Sequence, residues 1–320
     1  MGSWFKRIVI LALCLMLFAA AEVALHAFSP VALRSDRADF SIKPGSSLRS
    51  ATRQMIESGI ELSTWRFNLI ARFRGQAGTI KAGSYEVERG ITPVALLDKL
   101  TAGDFSQSEI VFIEGWTFRQ MRAALSDAEI MTKMGEAGRS PEGLFFPDTY
   151  LFAKGASDLE ILKRAHVAMD KRLQDAWQQR APDLPYRNPY EALIMASVIE
   201  KETGQSSDRA VIGGVFVNRL RLGMMLQTDP TVIYGLGERF DGNLRKKDLL
   251  ADTPHNTYTR TGLPPTPIAM PGRASLQAAL NPAKTPALYF VARGDGSSQF
   301  SRTLAEHKRA VSKYQLRGAR

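Results

Sequence analysis

The chain has 320 residues and a formal net charge of +10, with 44% hydrophobic and 23% charged residues, enough for one large folded core or two modest ones. One cysteine and four histidines, with no HExxH and no histidine pair at ligand spacing, exclude an intrachain disulfide and argue against cysteine metal sites, metalloenzyme chemistry and Ser-His-Asp catalysis. The positive charge points to an acidic partner, but the only basic run is Arg245-Lys246-Lys247 and no aromatics are interleaved with basic clusters, so nucleic acid is not expected.

In chain order, Lys6 and Arg7 precede an apolar run from Ile8 to Phe18 that continues through Ala21 and resumes after Glu22 to Phe28. About 20 such residues span a bilayer, whereas Ala19-Ala20-Ala21 also fits a signal-peptide cleavage site. The length favours a retained anchor over residues 1–30, with the N-terminus held in the cytoplasm by its basic residues; either reading exports the remainder. Residues 31–39 read as a polar linker. Over 40–104 the pattern is a strand at Phe40–Ile42, a helix capped by Ser46 or Ser47, a helix from Ser63, a strand at Ser84–Val87 and a helix opened by Thr92-Pro93 and closed by Gly103, the capping signals being sharp. This is a small α+β module. From 105 to 320 a larger α+β domain is expected: a strand at Ile110–Ile113, helices at 117–125, 157–179, 190–203 and 208–222, turn-rich chain over 223–273, a helix at 274–280, a strand at Leu288–Val291 and a basic closing helix.

The helix Met195-Ala-Ser-Val-Ile-Glu200-Lys-Glu202 carries the chemistry. Met195, Val198, Ile199 and Glu202 fall on one stripe at helical spacing, with Glu200 on the other side. A glutamate in an apolar stripe has its charged form disfavoured by desolvation, so it can hold a proton near neutral pH and donate it as a general acid.

Several strings resemble the endolytic murein transglycosylase (YceG-like) family: Glu142-Gly-Leu-Phe-Phe-Pro-Asp-Thr-Tyr150, Ala196–Thr203, Val215-Phe-Val-Asn-Arg-Leu220, Leu226–Gly235, Asn256-Thr-Tyr258, Gly262-Leu-Pro-Pro265, Asn281–Thr285 and Leu288–Val291. Together they extend over residues 40–315. The resemblance implies a single-pass inner-membrane protein whose 40–104 module is LysM-like and whose 105–320 domain is catalytic and periplasmic. It implies internal cleavage of peptidoglycan glycan strands between N-acetylmuramic acid and N-acetylglucosamine, leaving a 1,6-anhydro end, without a cofactor, and association with cell-wall synthases. The family's essential acid corresponds to Glu202. Two departures stand in one loop: His255 where such proteins often carry tyrosine, and Thr266 where glycine is usual.

Around Glu202 the second candidate carboxylate is Asp229, either orienting a sugar and stabilising positive charge or forming a turn before Pro230. Gln227, Asn218, Asn256 and Tyr258 are the candidate sugar contacts. Asp148 either lines the groove or caps a turn, and Arg219 either meets stem-peptide carboxylates or pairs with an acid. The alternatives are a two-carboxylate glycoside hydrolase using Glu202 and Asp229 and a non-catalytic wall-binding scaffold.

Overall fold

A computed structural model describes residues 3–127, 141–153 and 157–316; the first residues of the expected cytoplasmic tip and the last four of the basic closing segment lie outside the described residues. The protein mixes helices with small two-stranded sheets and divides into two compact units, Met1–Ser108 with Leu151–Lys154, and Glu109–Tyr150 with Gly155–Arg320.

The first unit opens with α1 (Ser3–Phe28), in which Arg7–Phe28 is long and apolar enough to cross a membrane, with a mean hydropathy of 2.7. It continues with β1 (Ala32–Leu33), β2 (Arg37–Ile42), α2 (Leu48–Glu57), β3 (Ile60–Glu61), α3 (Thr64–Phe73), β4 (Gly83–Glu88) and α4 (Pro93–Ala102). The capping residues act as their chemistry directs. Ser47 accepts from the Ser50 N–H at 3.3 Å, Thr92 accepts from the Ala95 N–H at 3.2 Å, and Gly103 ends α4 at φ 75°, the left-handed conformation glycine allows. β2 runs antiparallel to β4, with Arg37 opposite Glu88 and Ile42 opposite Gly83. Ala38, Phe40 and Ile42 point inward onto Met55, Phe67, Leu96, Leu97 and Leu100, each large apolar side chain contributing about 1.5–3 kcal/mol by its burial.

The strand–helix–helix–strand–helix order is observed, with two short strands added. The expected linker is corrected: residues 31–39 hold β1 and the first three residues of β2. Ala38 is the reason, since a small buried residue between charged neighbours is enough to continue the inward alternation.

β5 (Gln107–Val111) pairs with β6 (Thr149–Ala153). The second unit then adds α5 (Phe118–Asp127), α6 (Asp158–Gln178), α7 (Pro189–Glu202), α8 (Ser206–Arg221), α9 (Asp229–Leu236), α10 (Lys246–Leu250), α11 (Arg273–Leu280), an antiparallel pair β7 (Tyr289–Ala292) and β8 (Ser298–Ser301), and α12 (Leu304–Val311). α7 is the central helix, touching α6, α8, α9 and α11. It starts at Asn188, whose side chain accepts from the Glu191 N–H at 3.0 Å, with Pro189 in the first turn. Every residue from Glu191 to Ile199 is buried, so the helix is enclosed all round rather than on one stripe. Its one interior hydroxyl, Ser197, is satisfied by donating to the Ile194 carbonyl at 2.7 Å and accepting from the Ile268 N–H at 3.0 Å. α8 packs on α11 through Gly213, where an added Cβ would lie 2.5 Å from the Ala278 carbonyl oxygen.

The stretch expected to be turn-rich, 223–273, contains α9 and α10. α9 begins at Thr228-Asp229-Pro230, with proline in the first helical turn, a start signal rather than the turn that Asp229-Pro230 resembles in isolation.

Candidate active site

Glu202 is the last residue of α7 and is half-buried. The Thr228 hydroxyl donates to Glu202 Oε2. Burial pushes the Glu202 pKa up; the bond from Thr228 opposes that rise, the nearby Asp229 charge adds to it, and Arg219 pulls it partly back. The position compounds the effect, because the last turn of a helix is its negative pole.

A chain of threonines holds the donor in place. The Thr228 N–H donates to Thr257 Oγ1 at 3.1 Å, Thr231 Oγ1 donates to the Thr228 carbonyl at 2.7 Å, and the hydroxyls of Thr231 and Thr257 lie 2.8 Å apart. All three threonines are buried, so the hydroxyl aimed at Glu202 sits on a rigid, water-poor support.

Asp229 is exposed in the first turn of α9, where the helix favours a negative charge. Its Oδ1 accepts from the Tyr258 hydroxyl at 2.6 Å. Burial, then the bond to Asp229, push the Tyr258 pKa up, so it remains a neutral donor. Gln227 precedes Thr228 with a left-handed backbone, φ 50°, and its N–H donates to the Thr257 carbonyl at 3.1 Å, leaving the side chain exposed. Glu202, Thr228, Asp229, Tyr258 and Gln227 thus form one constellation, in which a carboxyl that resists ionisation stands beside a carboxylate oriented by a phenol.

The other expected contacts are placed elsewhere. Asn256 is fully buried; its Nδ2 donates to the carbonyls of Ala251 at 2.7 Å, Leu249 at 3.0 Å and Asp248 at 3.4 Å, and its Oδ1 accepts from the Tyr258 N–H. It staples the loop that presents Tyr258. Asn218 donates to the carbonyls of Thr285 at 2.8 Å and Ala287 at 3.1 Å, tying α8 to the approach to β7. Asp148 accepts from the Thr149 N–H at 2.9 Å and pairs with Arg172 at 3.5 Å. Arg219 is 6% exposed and is held by backbone rather than by an ion pair with an acid: it donates to the carbonyls of Leu226 at 2.6 Å and Leu288 at 2.7 Å. Glu200 accepts from the Gly272 N–H at 2.9 Å and faces Arg209 at 3.6 Å.

Two residues escape sequence reasoning as individuals. Thr228 lies inside the Leu226–Gly235 string, but nothing local singles out a threonine whose partner is 26 residues away. Glu142, first residue of its string, is 4% exposed on a cleft of about 1300 Å³ also lined by Phe118, Lys201, Tyr234 and His255. It accepts from the Phe118 N–H at 2.9 Å and the Tyr234 hydroxyl at 3.2 Å, and burial raises its pKa. The two departures in the loop meet: His255 Nε2 lies 2.9 Å from Thr266 Oγ1, and the ring packs edge-on to Tyr234. Burial lowers the His255 pKa, keeping the imidazole neutral. Among the described residues no group of three or more His, Cys, Asp or Glu could hold a metal ion.

Fold and site define a mixed helix–strand protein organised around one glutamate at the end of a buried helix. The YceG-like family model matches residues 40–313, and the chain belongs to that family. It is 32% identical over 306 residues to the endolytic murein transglycosylase of Bacillus subtilis strain 168, covering 86% of this chain and 84% of that protein. It is 24% identical over 320 residues to the endolytic murein transglycosylase of Streptococcus pneumoniae serotype 2 strain D39, covering 85% of this chain and 57% of that protein. A crystal structure of a putative yceG-like protein from Listeria monocytogenes matches with a TM-score of 0.53 and 30% identity, over 85% of this chain and 98% of that one.

Proposed function

We infer that this protein is a peptidoglycan lytic transglycosylase that cuts glycan strands internally, between N-acetylmuramic acid and N-acetylglucosamine. The observation that carries the reading is Glu202: a half-buried carboxyl with a raised pKa, held by Thr228. The names borne by the relatives support it.

One group suffices for the reaction. Protonated Glu202 gives its proton to the glycosidic oxygen as the bond to the muramic C1 breaks. The C6 hydroxyl oxygen of the same sugar then bonds to C1, and its proton passes to the Glu202 carboxylate. The acid is regenerated, no water is consumed, and the product carries a 1,6-anhydro ring. Asp229, oriented by Tyr258, stabilises the positive charge that develops at C1, and the exposed Gln227 side chain meets sugar hydroxyls.

α1 is retained as the anchor in the inner membrane, its basic tip cytoplasmic and the chain after it periplasmic. The 40–104 segment acts as a LysM-like module that holds glycan strands near the membrane, where the net charge of +10 suits an anionic wall. Cell-wall synthases are the protein partners this placement allows.

The test is mass spectrometry of purified peptidoglycan treated with the full-length protein, wild type beside Glu202→Gln. Anhydro-ended fragments from the wild type alone establish the reaction and its acid. Because Asp229 is close enough for its charge to raise the Glu202 pKa, a two-carboxylate hydrolase is the second reading. Water-derived reducing ends, lost in both Glu202→Gln and Asp229→Asn, would establish it instead.

A further inference from the structure

α3 has two apolar stripes where a module surrounded by water needs one. Phe67, Ile70 and Ala71 face the core. Trp65, Leu69 and Phe73, spaced four apart, form a second stripe, and Trp65 and Phe73 are 62% and 80% exposed. An exposed aromatic stripe beside a membrane-spanning segment calls for something to cover it.

α1 supplies the depth. Val23 and Ala27 pack into the core of the first unit, α1 touches α3, and Arg66 of α3 pairs with Glu22 of α1 at 3.3 Å. Glu22 lies six residues before the end of α1, about 9 Å along the helix axis at roughly 1.5 Å per residue. If α1 crosses the membrane, Glu22 is below its outer end, and the ion pair fixes α3 at that level. Trp65, Leu69 and Phe73 line an apolar groove that is also lined by Leu17 and Phe18 of α1, both exposed. With α1 in the bilayer, Leu17 and Phe18 face lipid, and lipid is what fills the groove beside them.

We propose that α3 is an interfacial helix, with Trp65, Leu69 and Phe73 set into the outer leaflet of the bilayer that α1 crosses and Arg72 beside them reaching lipid phosphates. Tryptophan and phenylalanine with flanking arginines suit that layer. Arg66 keeps its charge toward the headgroups along an apolar stem and offsets the unfavourable placement of Glu22 within the span. The module is thereby held flat on the membrane rather than swinging on a tether. The inference rests on the reading of α1 as a retained span.

The test uses full-length Cys14→Ser protein in vesicles of phosphatidylethanolamine and phosphatidylglycerol, with single cysteines at Phe73→Cys, Trp65→Cys, Leu13→Cys or the exposed α2 position Glu57→Cys carrying an environment-sensitive fluorophore. Labels at 73 and 65 should be quenched by shallow lipid-borne quenchers and several-fold less by aqueous iodide than the label at 57. Both positions are exposed, so the substitutions leave the core intact, and agreement between them guards against a local artefact. Iodide quenching at 73 and 65 equal to that at 57, with Leu13→Cys buried in lipid, overturns the interfacial helix and leaves the anchor standing. A water-exposed label at 13 overturns the anchor and the inference with it.

Discussion

Thr228→Val tests whether the Glu202 pKa governs the reaction. Valine keeps the shape of a buried side chain and removes the hydroxyl that donates to Glu202 Oε2. A hydrogen bond to a charged group is worth about 1.5–3 kcal/mol, but a neutral acid also accepts from a hydroxyl, so roughly half of that separates the two protonation states. At about 1.4 kcal/mol per pKa unit, that half, about 0.8–1.5 kcal/mol, raises Glu202 by roughly half to one unit. Substrate must meet the protonated acid, so kcat/KM falls as pH rises through the free enzyme's Glu202 pKa; the variant moves that alkaline limb upward by roughly half to one unit. Thr228→Ser restores the donor and the wild-type profile. Asp229→Asn removes a negative neighbour and moves the limb downward, by less, because the Asp229 charge affects Glu202 less than the Thr228 bond does. The assay is release of anhydro-ended fragments across the pH range. A limb unmoved by Thr228→Val, or moved in the same direction by both variants, refutes the assignment.

The same geometry sets three further outcomes. Because burial raises the Glu202 pKa, the folded protein holds that proton more tightly than the unfolded chain; the stability this gives is full below the unfolded pKa and is lost as pH rises through the folded one. Glu202→Gln should therefore match the wild type in acid and exceed it in alkali, by about 1.4 kcal/mol for each tenfold tightening of proton binding on folding, in thermal unfolding measured against pH; a constant difference counts against the raised pKa. Asn256→Ala strips the donor from three carbonyls and the acceptor from the Tyr258 N–H, so urea unfolding should show a loss of about 2–4 kcal/mol; a raised KM with unchanged stability would mean instead that Asn256 touches sugar. Gly213→Ala drives a methyl against the Ala278 carbonyl and should lower stability by about 1–3 kcal/mol, read as a fall in Tm; an unchanged Tm would mean that α8 and α11 separate freely.

The elements readable in the chain are those whose ends carry their own chemistry. Ser47, Thr92-Pro93, Gly103 and Asn188-Pro189 each close or open a helix by satisfying backbone groups within a few residues, which is information of short range. The elements hidden from sequence depend on partners far along the chain. β1 has two residues and exists because β3, opposite it, pairs with Ala32 and Leu33. β8 has no apolar run, since three of the four residues of Ser298–Ser301 are polar, and it is a strand by virtue of its register with Tyr289–Ala292. α9 is obscured by Asp229-Pro230, a pair that can end one element or start another; the helical chain from Thr231 to Leu236 decides between them.

The same division explains the two glutamates. Helical spacing separates Glu200 from Glu202 by assuming that one side of α7 is oily and the other wet, yet α7 is enclosed on every side from Glu191 to Ile199. Their surroundings separate them on other grounds. Glu200 receives a backbone N–H from Gly272 and faces the Arg209 guanidinium, with the Glu114 carboxyl also near it. Glu202 receives one hydroxyl, has the Asp229 carboxylate nearby and sits at the negative pole of its own helix. An acid that must release a proton and take it back is served by the Glu202 setting, where burial raises the pKa and the Thr228 bond opposes the rise. Thr228 stands 26 residues from Glu202 in the chain, and Asp229 is the next residue after it; the setting is made by α9 returning to the end of α7. Spacing along one helix favours Glu202 over Glu200, and the packing of α9 on α7 gives the two carboxyls their different surroundings.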